Sequence, residues 1–301
     1  MEDSTGSTGT GARPLSVTIG TVAPEPALHL VATPIGSARD ITLRALDILA
    51  SADVLAAEDT RTLRHLMEIH GVPLGDRPLV ACHDHNEAQV SPRIVQAIAD
   101  GKSVAYASEA GTPMVSDPGF PLARAVIAAD QPVTAAPGPS AALCALTLAG
   151  LPTDRFLFAG FAPSQKSARK SFLQELAHLQ ATLVLYESPK RVNQMLEDCC
   201  EIFGKGRKIA LCRELTKRFE EVIRGSLAEV TEAIANRDLK GEVVLVIGRG
   251  EIAACDAATI EAALDKALEQ MSVKDAAAAV AEAFSMPRRD LYQMALQRGK
   301  A

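Results

Sequence analysis

Tryptophan is absent from the 301 residues and aromatic side chains make up 4% of them. A platform of stacked rings, the usual grip on single-stranded nucleic acid, is therefore excluded as the organising feature. No apolar run approaches the roughly 18 residues of a membrane-crossing helix. The six cysteines (82, 144, 199, 200, 212 and 255) show no C-x-x-C spacing and two are adjacent. They read as reduced cytosolic thiols rather than a disulfide framework or a zinc site. G-x-G-x-x-G, H-E-x-x-H and G-x-S-x-G are all missing, which removes the dinucleotide, zinc-protease and serine-hydrolase fingerprints. Gly101-Lys102-Ser103 has the end of a phosphate loop, but Gln96 stands where its first glycine belongs. A net charge of −6 argues against a general nucleic-acid coat and leaves room for local basic patches.

What is present is an alternation of short apolar runs and helical spacing, in a chain that is 48% hydrophobic. Met1 to Gly11 is rich in Ser, Thr and Gly without a signal-peptide pattern, so residues 1–26 are expected to form a flexible tail. Residues 28–33, 53–57, 103–107 and 133–136 read as strands. Helical periodicity covers 40–52, 60–69 and 86–99 and follows the later strands. This alternation predicts a mostly parallel, helix-covered sheet in a first α/β domain, residues 27–149. Gly150-Leu151-Pro152 marks a second α/β domain, 150–250, with strands at 156–161, 182–186, 208–212, 221–225 and 242–247. The remainder, 251–301, is helical in pattern, with a capping box at Ser272 to Asp275. There Met286-Pro287 separates two short helices, which reads either as a helix-turn-helix or as a small bundle packed on the core.

Two loops dominate the chemistry. Ser108-Glu109-Ala110-Gly111-Thr112-Pro113-Met114-Val115-Ser116-Asp117-Pro118-Gly119 and Ala136-Pro137-Gly138-Pro139-Ser140-Ala141 each follow a β-prone run and lead into a helix. Open α/β sheets bind ligands at such strand ends. Glycine allows close backbone approach and proline fixes the turn in advance. A lining of backbone groups and small side chains suits a ligand carrying an adenosine, a carboxylate and a diffuse positive charge, and gives a phosphate little to hold. S-adenosylmethionine fits that description, although the lining alone does not single it out. His83-Asp84-His85-Asn86 could hold a metal, but adjacent loop residues point apart and no third ligand is signalled, so no metal is expected.

Several segments together carry a resemblance: Val31-Ala32-Thr33-Pro34-Ile35-Gly36, Ala57-Glu58-Asp59-Thr60-Arg61, His83-Asp84-His85-Asn86, the 108–119 loop, Pro137-Gly138-Pro139, Tyr186-Glu187-Ser188, Arg213-Glu214-Leu215-Thr216-Lys217 and Lys240-Gly241-Glu242. In this order they resemble the ribosomal RNA small subunit methyltransferase I family, of the tetrapyrrole-methylase superfamily, from about Leu28 to Gly250. The loop commonly begins Ser-Asp-Ala-Gly; position 109 here is Glu, which keeps the charge and adds a methylene. The resemblance implies two α/β domains of the tetrapyrrole-methylase type with a cofactor cleft between them, and a homodimer. It implies methyl transfer from S-adenosylmethionine to the ribose 2′-hydroxyl of a cytidine in the decoding region of small-subunit (16S) ribosomal RNA, in the cytoplasm. Carried over by position, the cofactor residues are Pro34, Glu109, Gly111, Thr112, Pro113, Val115, Ser116, Pro137, Gly138, Ser140, Ala141, Tyr186, Cys212, Gly241 and Glu242.

A ribose hydroxyl is a poor nucleophile while protonated, so a general base is expected. The candidates are Glu58 and Asp59, then His83 and Glu187. Helix capping by Asp59 or Thr60 is an alternative use of the acidic pair. Arg39 and Arg61 are the expected phosphate or ribose contacts of the first domain. Lys166, Arg169, Lys170, Lys190, Arg191, Lys217 and Arg218 form the basic clusters expected to grip RNA in the second. Two other readings stand beside this one: a tetrapyrrole methylase, which needs an apolar slot for a macrocycle, and a non-catalytic RNA-binding module using the basic tail.

Overall fold

The computed structural model describes residues 19–20, 22–250, 257–284 and 286–298. The chain divides into two compact units: one runs up to Cys144 and also takes Glu214–Glu220, the other holds Ala145–Arg213 and everything from Glu221. The expected tail lies mostly outside the described residues. Its end is tied down, because the Gly20 N–H donates to Asp47 and Ser51 donates to the Gly20 carbonyl.

In the first unit, β1 (Leu28–Val31), β2 (Val54–Ala57), β3 (Leu79–Ala81), β4 (Val104–Ala107) and β5 (Val133–Ala136) form one sheet in the order β3-β2-β4-β1-β5. Every neighbouring pair in it is parallel. The central strands β1 and β4 are buried along their whole length, the pattern of strands covered by helices on both faces. The helices are α1 (Leu43–Ser51), α2 (Thr60–Ile69), α3 (Glu87–Ala99) and α4 (Phe120–Ala128), and α5 (Ala141–Ala149) begins in this unit. Two clusters, one around Leu49, Leu55 and Met67 and one around Tyr106, Ile98 and Leu122, make up the core. Strand β3 is the element that the periodicity did not reveal: it is three residues long, follows Pro78 and is only partly buried.

The second unit also has a five-stranded sheet, in the order β6-β7-β10-β8-β9. Its strands are β6 (Phe156–Phe161), β7 (Thr182–Glu187), β8 (Lys208–Arg213), β9 (Glu221–Ser226) and β10 (Val243–Ile247). Only β6 and β7 run parallel; β10 is antiparallel to both β7 and β8, and β8 to β9. Helices α6 (Lys166–Ala177), α7 (Val192–Phe203) and α8 (Leu227–Ile234) contribute to its core with Leu173, Met195, Leu196 and Val230.

The last helices, α9 (Ala257–Leu268), α10 (Val273–Ala283) and α11 (Arg288–Arg298), share a separate core of Ile260, Leu264, Ala277, Val280, Leu291 and Ala295. Arg298 ties the ends together through Glu261 and Asp265 on α9. The expected capping box is half formed. The Ser272 hydroxyl accepts the Asp275 N–H and donates to its carboxylate.

Two sequence boundaries shift. The division between units falls at Cys144, inside α5, rather than at Gly150. Glu214–Glu220, read as part of the second domain, belongs with the first. The cause is local: a Cβ on Gly36 would lie 2.5 Å from Lys217 and 2.6 Å from the Thr216 hydroxyl, so only glycine lets the segment come this close. Thr216 then accepts the Ser37 N–H at 3.1 Å.

Candidate active site

Because all five strands of the first sheet are parallel, their carboxyl ends open on one edge. The strand order sets the loops along that edge: 82–86 after β3, Glu58 after β2, 108–119 after β4, 33–36 after β1 and 137–140 after β5. Acids and histidines therefore occupy one half of the edge and the Gly/Pro loops the other.

The Gly/Pro half is stitched by backbone and hydroxyl groups. Thr33 and Gly111 exchange N–H···O bonds of 2.9 and 3.0 Å. The Ser108 hydroxyl donates to the Gly111 carbonyl and Thr112 donates to the Pro139 carbonyl. Gly111 has φ +86°, and a Cβ there would sit 3.3 Å from Ile35. Met114 and Ser116 hold left-handed φ values of 68° and 62°, a conformation that costs non-glycine residues energy and clusters at functional sites. Glu109, Ser116, Pro137 and Gly138 are exposed; Pro34, Thr112, Val115, Ser140 and Ala141 are half-buried; Gly111 and Pro113 are enclosed. The 108–119 and 137–141 loops contain no Lys or Arg.

The acidic half separates its members. Glu58 accepts the Glu109 N–H at 3.3 Å, which joins the β2 end to the first residues of the long loop. Burial, with help from the Glu109 and Asp84 charges, raises its pKa above the ordinary carboxylate value. Asp59 is the N-cap of α2: it accepts the Arg61 and Thr62 N–H groups and pairs with the Arg61 guanidinium at 2.9 Å. Those bonds pull its pKa down to about 2. Capping is thus its observed use, and so weak a base is a poor proton acceptor. His83 donates its backbone N–H to the Asn86 side chain, and its Nδ1 is buried without a hydrogen-bond partner. Its ring meets that of His85 edge-on at 6.0 Å. Among the described residues no cluster of three or more His, Cys, Asp or Glu is placed to hold a metal.

In the second unit the register brings Tyr186 and Cys212 into one row, on either side of Val244. Gly241 and Glu242 are exposed just before β10, at the same end. Cys212 has no exposed surface, and its thiol faces the Ala145 carbonyl, so its side chain is not a ligand contact. Glu187 is enclosed: its Oε1 accepts the Ser188 N–H and pairs with Arg191, while its Oε2 is buried with no hydrogen-bond partner among the described residues. Arg191 is engaged by the same pair. Arg169 is corrected as an RNA contact, being 3% exposed and ion-paired with Asp198 at 2.7 Å. Lys170 pairs with Glu201 and Lys217 with Glu214. Arg39, Lys166, Lys190 and Arg218 are exposed, and so is Arg61 despite its pairing.

The tetrapyrrole (corrin/porphyrin) methylase family pattern matches residues 27–231, and the RsmI C-terminal HTH domain pattern matches residues 254–299. The second match favours the helix-turn-helix reading of the tail over a simple bundle. The chain is 43% identical to the ribosomal RNA small subunit methyltransferase I of Mesorhizobium japonicum, across 91% of this chain and 92% of that protein. Two solved structures share the fold. A conserved hypothetical protein from Aeropyrum pernix gives a TM-score of 0.58 at 18% identity, covering 91% of this chain and 96% of that one. Thermus thermophilus uroporphyrin-III C-methyl transferase, complexed with S-adenyl homocysteine, gives 0.51 at 19% identity, covering 74% and 97%. The chain belongs to the ribosomal RNA small subunit methyltransferase I family of the tetrapyrrole (corrin/porphyrin) methylases.

Proposed function

We propose that this protein transfers the methyl group of S-adenosylmethionine to the ribose 2′-hydroxyl of a cytidine in the decoding region of small-subunit ribosomal RNA. The observation that carries the reading is Glu58 held by the Glu109 N–H, which sets a carboxylate of raised proton affinity against the Gly/Pro loop. Identity to a ribosomal RNA methyltransferase over nine-tenths of both chains favours this substrate over a macrocycle.

The donor set of the edge fits the cofactor. It offers backbone groups, the Thr112, Ser116 and Ser140 hydroxyls and the exposed Glu109 carboxylate, and in the two loops no cation that would repel a sulfonium. Pro34, Gly111 to Ser116, Ser140 and Ala141 would hold it, and when bound it supplies an electrophilic methyl group. Glu58 takes the hydroxyl proton on its carboxylate, which its burial makes a stronger base than an exposed one. The stitched loops fix the geometry in advance, so that positioning supplies much of the rate. Exposed Arg39 and Arg61 contact the RNA backbone beside this edge. The protein acts as a cytoplasmic homodimer on the assembled small subunit.

Tritiated S-adenosylmethionine offered with ribosomal RNA, free and in assembled small subunits, followed by mapping of the modified nucleotide, tests the proposal. Label on a base, or none on RNA, would overturn it.

A further inference from the structure

A cavity of about 620 Å³ opens within the second unit, at the opposite end of its sheet from Tyr186 and Glu242. The register fixes the separation. Val243 of β10 pairs with Glu187 and Arg213, whereas Ile247 pairs with Leu183 and Ile209; four residue steps of roughly 3.3 Å make about 13 Å. Beyond that last pair, Arg207, Lys208, Gly248, Arg249 and Gly250 line the cavity, and among the described residues its wall contains no carboxylate. The donor set is the reverse of that on the Gly/Pro edge.

Two guanidinium groups here have donors left over. Arg207 donates from Nε to the Gly248 carbonyl at 2.6 Å and lies over the Phe203 ring, 4.5 Å from its centroid. Its Nη2 is buried with no hydrogen-bond partner. Arg249 pairs with Asp154 through Nη2, and its Nε is likewise buried without a partner. Buried donors are nearly always satisfied, by the protein, by ordered water or by a bound ion. Arg207, Lys208 and Arg249 together give the described wall of this cavity a basic lining that suits an oxyanion. Helices α6 and α7 end at this cavity, and their carbonyl dipoles attract cations. An arginine present only to answer them would donate to their last carbonyls, whereas the Arg207 hydrogen bond goes to the chain just past β10.

We propose that this cavity binds a phosphate group, supplied either by the RNA backbone or by a free phosphate-bearing molecule. The first source rests on the activity proposed above; the second does not. Arginine suits the role because its planar donors match phosphate oxygens two at a time.

The test uses the full chain and its Arg207→Gln, Arg249→Gln and Lys208→Gln variants, the last two at positions where folding should survive. In one arm, inorganic phosphate is titrated against chloride at constant ionic strength and the melting temperature is followed. Phosphate should raise it for the wild type and not for the variants. In the other arm, a small-subunit ribosomal RNA fragment is titrated across salt concentrations. If the RNA supplies the phosphate, each variant should flatten the slope of log affinity against log salt by about one unit. Lost phosphate protection with an unchanged slope would assign the cavity to a free phosphate-bearing ligand. Phosphate protection in a protein that binds no RNA would sink the ribosomal reading and leave the cavity assigned. No phosphate effect on the wild type, with unchanged slopes in all folded variants, overturns the proposal.

Discussion

Glu58 and Glu187 stand in matching places, each at the carboxyl end of a largely buried strand, β2 and β7. Glu58 is half-buried and accepts a backbone N–H, and its burial raises its pKa. Glu187 is enclosed, and its Oε1 is ion-paired with Arg191 four residues later. The same contrast divides the arginines: Arg61 projects into solvent while Arg169 is locked to Asp198 inside the second unit. Residue type and strand position are therefore insufficient to define a site. Availability depends on the partner, and in the second unit many of the charged groups have been used to fix the fold.

The largest expected effect lies on Glu58. Glu58→Gln should leave cofactor and RNA binding intact and slow single turnover on the order of 10²–10⁴-fold. The base works deprotonated, so the wild-type rate should rise with pH through a midpoint above the ordinary glutamate value, and the variant should lose that rise. Full turnover in the variant would erase the contrast with Glu187 and move attention to His83. Next comes the paired side of the comparison. Arg169→Ala strands a buried Asp198 and should cost about 3–5 kcal/mol in chemical denaturation, with RNA affinity of the folded fraction unchanged. Normal stability with weakened RNA binding would restore Arg169 as a contact.

Gly111→Val should show an intermediate effect. A branched residue at φ +86°, with its Cβ against Ile35, should lose about 1–2 kcal/mol of stability and most of the cofactor affinity. A folded variant with normal calorimetric affinity would remove the loop from the site. The smallest change is expected for Asp59→Ala: a fall in Tm on the order of 2 °C from the lost cap, with turnover near that of the wild type. A large loss of turnover at unchanged Tm would return Asp59 to the chemistry.

Much of the edge was legible because its loops are dense in the residues that turns require. Strands 133–136 and 156–161 and helix 60–69 were read to the residue, since glycine or proline stands close to each. Strand β3 was not, because two half-buried residues and an exposed one carry no period. The acidic pair was found but could not be divided. Asp59 and Glu58 are neighbours in sequence, and only the chain geometry turns one into the α2 cap and the other toward Glu109. The basic clusters misled for a related reason: Arg169 lies at helical spacing among lysines, and its partner Asp198 is 29 residues away on α7.

The sequence by itself determined the alternation of strands and helices. It also determined that the first sheet gathers its loops on one edge, since parallel strands joined by helices return every carboxyl end to the same side. Tertiary structure alone decided the order of those loops along the edge, the transfer of Glu214–Glu220 to the first unit, and which charged groups are paired. Local periodicity and turn chemistry act over a few residues and can be read in order. Strand order, ion pairing and the meeting of Gly36 with Thr216 depend on distances between residues far apart in the chain, which only packing sets.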